Sequence, residues 1–571
     1  MKKNILNLLG LVLLMAGVSC KKTFLDERSE SRLAPVNAFT TSRDFTASIN
    51  NLYRLVRNEL YTINDFQPWD YAYRTDIGFP ITAIAPNLTA EYNAVNGFSN
   101  GHWSTYFKII AESNTIIARV GSSSMSETEK RLVEAEARFF RGFAYRCLGY
   151  LFGGVPLITT EISTPKVDFV RATRKEVYAQ VIEDFSFAAA NLRSITAIPP
   201  TQDGRVSNLV AQHYLSEIYI ADGQFQKAVD AATVVISNPN VGLMTSRFGS
   251  RRTVVPGDVY WDLFRMNNQN RAGGVNREAL WVIQLEPDVP GGLSPTTVNF
   301  LNTNAFLFER VHSPLVRDLR INGAPPFEWP MSDYSGGRGV GFIAPSRYFI
   351  DSVYSADPAN DIRNANHNFV RRFRANRIAS PLFGQEIDFH NLPANTRGVN
   401  GAVVVSGVPD RALYPYQTKC TEPFNHPANL YAGNVPSYPL LLKSGAGATY
   451  QDQYLARLAE TYLLRAEAYL GLSNTTLAAN DINVVRARAN AAPVAPANVN
   501  IDYILDERIR EFGFEEKRML TLMRMGKWYD RVRKCNPFYA AQAELKHNLW
   551  PIPQNEIDRN RGAVLTQNPG Y

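Results

Sequence analysis

The stretch Asn208–Asn238, NLVAQHYLSEIYIADGQFQKAVDAATVVISN, followed at once by Pro239, decides the fold. Ala211, Leu215 and Tyr219 recur at helical spacing and put one apolar stripe on a first helix. Gly223 marks a turn, and Phe225, Ala228, Ala232 and Ile236 form the stripe of a return helix. Proline beyond the end stops it. A hairpin of this kind cannot bury its apolar face by itself, so it implies neighbours stacked on it.

Small residues where the helices cross, glycine at the turn and proline past the end together match the tetratricopeptide pattern. A weaker copy spans Tyr454–Ala489: Leu464, Ala468 and Gly471 serve its first helix and turn, and Ala479, Ile482 and Val485 its return. Towards the N-terminus, Phe45, Ile49, Leu52, Val56 and Leu60 predict a helix over Ser42–Leu60, and Trp103 to Ile117 predicts a second. Ser126 with Glu129 three residues on reads as a capping box for a third, which ends at Gly153-Gly154-Val155-Pro156. Between Pro239 and Gln453 helical periodicity fades while Gly, Pro, Asn and aromatics rise. A stretch of that length and aromatic content reads as short strands and ordered loops packed on a helical scaffold, the usual place for binding sites. The expected fold is therefore mainly α, a tetratricopeptide-like repeat scaffold carrying a loop-rich, short-strand binding part. Its expected divisions are 1–19, 20–238, 239–453 and 454–571.

Residues 1–19 read as a signal peptide. Met1-Lys2-Lys3 is a positive start, and the apolar run Ile5–Gly17 is too short to span a bilayer. The run closes in Gly17-Val18-Ser19-Cys20, which resembles the lipobox of bacterial lipoproteins, although Gly17 stands where a larger apolar residue is usual. Cys20 is thus the expected lipid anchor. The remaining Cys147, Cys420 and Cys535 are too few and too far apart for a disulfide framework.

The 571 residues carry a net charge of +7, but the basic residues are interspersed, which argues against a nucleic-acid partner. Seven scattered histidines, with no HExxH and no Cys/His cluster, give no zinc pattern, and no other cofactor is indicated. His213 reads as helix packing. Gly337-Arg338-Gly339-Val340-Gly341 lacks the dinucleotide-loop spacing and a βαβ frame, and reads as a flexible surface loop. Glu134, Glu136, Glu507 and Glu511 read as helical ion-pair residues. A surface or periplasmic glycoside hydrolase is the alternative to a binding protein, but no carboxylate pair stands out.

Several segments, in order from residue 20 to 571, resemble the SusD/RagB family. They are Phe24-Leu25-Asp26; Trp103-x-x-Tyr106-x-x-Ile109 with Asn114; Glu136-Ala137-Arg138-Phe139-x-Arg141-Gly142-x-Ala144-Tyr145 with Gly153-Gly154-Val155-Pro156-Leu157; Leu463-Leu464-Arg465-Ala466-Glu467-Ala468; Asp506-Glu507-Arg508-x-x-Glu511-Phe512-x-Phe514-Glu515; and Pro551-Ile552-Pro553 with Gln567-Asn568-Pro569-Gly570-Tyr571. Glu516 and Thr521 depart from the family's usual Gly and Asp. The resemblance implies four tetratricopeptide-like helix pairs, an outer-membrane lipoprotein at the cell surface, a SusC-like TonB-dependent transporter as partner, a glycan or other nutrient as ligand, and no catalytic role.

Binding a sugar needs aromatic faces for its C–H surface and amides or charges for its hydroxyls. Two loop segments offer these. One carries Trp69, Tyr71, Tyr73, Tyr92, Asn96 and Phe98; the other carries Trp329 and Tyr334 beside the Gly-rich run. Trp329, between Glu328 and Pro330 in a polar stretch, is the leading candidate.

Overall fold

The computed structural model of the chain describes residues 39, 41–61, 70–82, 87–95, 97–271, 275–289, 306–434 and 439–571. The signal segment, Cys20, Trp69 and Asn96 lie outside them.

Helices α1 (Ser42–Tyr61), α2 (Gly97–Val120), α3 (Glu127–Leu151), α4 (Arg174–Asn191), α5 (Asn208–Ala221) and α6 (Phe225–Ile236) follow one another along the N-terminal part. After the loop-rich part come α7 (Leu458–Gly471), α8 (Thr475–Arg488), α9 (Ile501–Phe512), α10 (Arg518–Arg524) and α11 (Trp528–Cys535). Helices α2 to α8 pack each on the next, and α6 packs directly on α7 across the more than two hundred residues between them in sequence. The repeat stack is therefore continuous, and the loop-rich part is an insertion between two consecutive hairpins.

Local chemistry explains the ends of the helices. The Ser126 hydroxyl accepts from the Glu129 amide, and the Glu129 carboxylate accepts from the Ser126 amide (3.0 Å), the reciprocal box expected there. Thr173 and Glu176 repeat the device at α4, a helix with no place in the sequence reading. Gly223 takes φ +73° at the α5–α6 turn, a conformation that costs a side chain energy. The C-terminal copy differs from expectation at both edges. Tyr454 lies in a strand, not a helix, because Gln453–Arg457 finds a ladder partner in Ala279–Ile283. Gly471 is the last helical residue of α7, and the left-handed turn falls on Ser473.

That antiparallel pair ties the insertion at its two ends. Trp281 from the first strand sits fully buried among Phe139, Phe143 and Tyr214 of the helical stack, with ring centroids 5.4, 5.5 and 6.2 Å away. The rest of the described insertion is made of short helical turns and two- and three-residue strand pairs, such as Arg372–Arg374 with Glu386–Asp388, and its strand Ile343–Pro345 pairs with Gly78–Pro80 from the connection between α1 and α2. One large apolar cluster runs through helices and insertion alike.

Charge also crosses this junction. Arg457 donates to Glu278 (2.7 Å) and Glu511 (2.5 Å), Arg488 donates to the same two carboxylates, and Arg363 bridges Glu507 (2.8 Å) and Glu511 (3.0 Å). Glu507 and Glu511, expected to form ion pairs, do so fully buried. Burial works against the Glu507 charge, but Arg363, Arg510 and Arg486 outweigh it and hold its carboxyl down at about 2. His213 is buried as packing, 2.9 Å from the Thr461 hydroxyl.

Candidate functional site

Among the described residues between α1 and α2, Tyr71, Tyr73 and Tyr92 are buried and leave no open ring face for a sugar. Tyr71 is fully buried, and its hydroxyl donates to Glu59 (2.7 Å) while lying 2.6 Å from that of Tyr106. Next to it, His102 is held between two carboxylates, Nδ1 at Glu59 (2.5 Å) and Nε2 at Asp70 (3.0 Å). Burial disfavours the imidazolium, but Glu59 and Asp70 together outweigh burial and raise its pKa to about 9. Tyr73 and Tyr92 are also buried, each with the Arg74 guanidinium over its ring (4.4 and 5.3 Å). Tyr92 packs on Trp528 and His547 and Phe98 on Trp550, aromatic and imidazole rings from the far C-terminal part. Tyr71 and Tyr92 are core residues because C-terminal rings cover them, a contact between positions more than 400 apart, while Tyr73 is buried against the neighbouring Arg74. Phe98 remains half-buried.

The second segment keeps its candidates near solvent. Trp329 is half-buried, and its indole Nε1 donates to the carbonyl of Gly339 (2.9 Å). The guanidinium groups of Arg317 and Arg338 lie 4.7 and 5.3 Å from the ring. Tyr334, also half-buried, meets Phe424 edge-on at 5.3 Å, and Phe424 itself is exposed. One amide links the two stretches: Asn376 accepts from the backbone of Glu328 (2.7 Å) and donates to Asp333 (2.7 Å). Trp329 and Tyr334 therefore follow residues held by the same side chain. Arg377 reaches Glu328 at 3.5 Å. The result is an aromatic surface rimmed by guanidinium, carboxylate and amide groups.

The Gly-rich run beneath is not a flexible loop. Gly337, Gly339 and Gly341 are buried. A Cβ at Gly339 would lie 2.5 Å from the Pro314 carbonyl, and one at Gly337 would strike the Glu309 carboxylate. These glycines permit the close approach that presents the Gly339 carbonyl to Trp329. Sequence reasoning missed Arg317, Arg338 and Phe424, which lack any local pattern. The arginines are nonetheless ordinary partners for a half-buried tryptophan.

One buried chain deserves comparison with a hydrolytic triad: Ser332 Oγ lies 2.8 Å from His426 Nδ1, whose Nε2 lies 3.0 Å from Glu309. All three residues are buried and Ser332 is fully so, with its hydroxyl also accepting from Tyr431 (3.2 Å). A nucleophile must reach substrate, so this chain braces the floor under the Trp329 loop. On the helical side, a cavity of about 410 Å³ has an apolar floor including Trp103, Phe107 and Phe169, but Trp103 is only 4 % exposed and offers little of its face.

Two family models match the chain, one described as "SusD family" over residues 441–571 and one as "Starch-binding associating with outer membrane" over 23–220. Together they cover more than half of it. A SusD-like protein of Formosa agariphila, P2, is 26% identical over 98% of both chains. Among solved structures, a laminarin-binding SusD-like protein aligns over 93% of this chain and all of its own, with a TM-score of 0.64 and 21% identity. The surface glycan-binding protein A of Bacteroides fluxus aligns over the same shares with a TM-score of 0.62 and 18% identity. At such identities the structural likeness speaks for the fold.

Proposed function

The chain belongs to the SusD/RagB family, and from that membership we propose that it is a cell-surface lipoprotein that binds glycans and passes them to a SusC-like TonB-dependent transporter. The observation that carries this reading is the agreement of the family matches at both ends of the chain with a continuous helical stack bearing a large insertion. In this reading the stack is the rigid support, and the insertion presents the ligand surface at Trp329 and Tyr334. The indole offers a face to sugar C–H groups. Arg317, Arg338, Glu328 and Arg377 surround it with hydrogen-bonding groups for hydroxyls.

Cys20 is the proposed anchor, since acylation there would tether a body in which no described helix is long and apolar enough to cross a membrane. Two or more acyl chains are needed for stable anchoring. The Cys20→Ala protein is expected in the soluble fraction when the transporter is absent; retention in the outer-membrane fraction would remove the anchor from the proposal. For the ligand, calorimetric titration of the purified protein with a panel of oligosaccharides should give at least one saturable isotherm and no release of reducing ends. A panel with no isotherm would overturn the glycan reading.

A further inference from the structure

A cleft of about 450 Å³ opens between α1, the connection 201–205 and the end of the strand Ala279–Ile283. That volume is within the range of small-molecule sites. Asn50, Arg54 and Arg57 line it from α1, four and three residues apart, and so share one helix face. A solvated helix face normally places a carboxylate three or four residues from each cation. Here the positions three and four away from Arg54 hold Asn50, Asn51, Arg57 and Asn58, and those around Arg57 hold Tyr53, Arg54, Leu60 and Tyr61. None is acidic.

The two arginines are consequently under-compensated. Among the described residues Arg54 donates only to the neutral Asn51 side chain (3.0 and 2.8 Å). Arg57 makes no hydrogen bond or ion pair among the described residues, although its Nε is sealed from solvent. Burial first, and the Arg54 charge second, lower its hold on the proton. The third arginine of the cleft, Arg205, is satisfied: it donates to Glu136 (2.7 Å) and to Asn50 (2.9 Å). Glu136 also accepts from Tyr53 (3.2 Å), so this carboxylate is already committed. The amides of Gln202 and Gln284 complete the wall.

We propose that this cleft binds the acidic group of a saccharide, a uronate carboxylate or a sulfate ester. An unpaired, partly desolvated guanidinium beside a second cation costs stability, and an oxyanion that accepts from the Arg57 and Arg54 forks removes that cost. Asn50, Gln202 and Gln284 serve the hydroxyls of the same ring. Phosphorylated nucleotides fit less well, because the described aromatic of the lining, Tyr53, already meets the Arg205 guanidinium at 5.5 Å and Phe140 edge-on. The inference rests on the glycan reading above but concerns a different surface from Trp329, and it adds a charge requirement to the ligand.

The test is titration calorimetry on the detergent-solubilised full-length protein with tetragalacturonate, a sulfated carrageenan tetrasaccharide and maltotetraose. One of the two acidic probes should bind at least tenfold more tightly than maltotetraose, and its affinity should fall as salt is raised. Which probe wins separates carboxylate from sulfate. Arg57→Gln should weaken that acidic probe about tenfold, and Arg54→Gln/Arg57→Gln should abolish the preference, with a melting temperature equal to or above that of the parent protein. A neutral probe bound as well as both acidic ones overturns the cleft while leaving the glycan reading intact. So does an acidic preference that survives the double substitution. Absence of binding by every saccharide removes both.

Discussion

A single tryptophan separates the two segments that looked alike in sequence. Trp329 keeps part of its indole at the surface because Gly339 lets the backbone come close enough to accept from its Nε1, whereas Tyr71 and Tyr92 disappear beneath C-terminal rings and Tyr73 is buried beside Arg74. Stacking on an aromatic face is worth roughly 1–3 kcal/mol for a base, and a sugar should gain a similar or smaller amount. Trp329→Ala is therefore expected to weaken glycan binding about tenfold. Trp329→Phe, which keeps a ring, should lose much less, and calorimetry on both variants reads the difference. Equal affinity for parent and alanine variant would assign Trp329 to loop packing. What hid the difference from sequence is that Tyr71 and Tyr92 are ordinary loop aromatics until rings more than 400 residues later cover them. The buried histidine beside Tyr71 carries its own consequence. The His102 pKa is raised in the fold to about 9 from an ordinary 6.5, so its contribution is fully present below about pH 6.5 and is lost as pH rises through 9. One pKa unit is about 1.4 kcal/mol, so the loss is on the order of 3–4 kcal/mol. Calorimetric melting between pH 6 and 10 should show this alkaline decline in the parent protein and a flatter profile in His102→Gln; parallel profiles would mean that the imidazole is neutral in the fold.

At the scale of elements, the end of α3 shows how two adjacent glycines serve different physics. Gly153 stops the helix with φ +78°, which any L side chain resists. Gly154 has an ordinary φ, but a Cβ there would lie 2.2 Å from the carbonyl oxygen of Ala172, where the returning chain pairs with the loop after α3 through Pro156 and Arg171. Backbone cannot rotate away as a side chain can. Gly153→Ala should cost about 1 kcal/mol, the usual penalty for the left-handed region. Gly154→Ala should cost more, about 2 kcal/mol or above, in line with overpacking. Denaturant unfolding of the two variants orders them; a smaller loss for Gly154→Ala would mean that the 171–172 strand yields freely. The helix end was legible from the Gly-Gly-Val-Pro stop itself. The close approach was not, because its partner lies in a stretch with no periodicity. Helix α4 was missed for a related reason: its apolar positions are diluted by alanines and only the Thr173–Glu176 box announces it.

The whole molecule is held together where the insertion meets the stack, and there the joining chemistry is buried charge. Glu511, on α9, is fully buried and accepts from Arg457 before α7, from Arg488 at the end of α8 and from Arg363 of the insertion. Its own backbone carbonyl accepts from Tyr260 (2.7 Å) and Lys419 (3.2 Å), two further residues of the insertion. Sequence revealed the helical stack through its 3.6-residue period and the insertion through the loss of that period. It did not reveal that the two interlock, since an acid on a helix looks the same whether it faces water or three arginines. A buried ion pair adds little net stability over an apolar contact of the same shape, but removing a partner and leaving a buried charge uncompensated costs on the order of 3–5 kcal/mol. Here Glu278 and Glu507 retain part of the pairing, which puts the loss at or below the low end of that range. Glu511→Gln keeps the shape and removes the charge, so three guanidinium groups would face a neutral amide. Because those groups belong to both parts of the molecule, the loss should lower one shared melting transition and not split it. Differential scanning calorimetry of the parent protein and Glu511→Gln is expected to give a single endotherm in each, displaced downward in the variant. Two separated endotherms in the variant, with the upper one unmoved, would mean that the stack and the insertion melt independently and that the aromatic contact at Trp281, not the ionic junction, is what joins them in the parent protein.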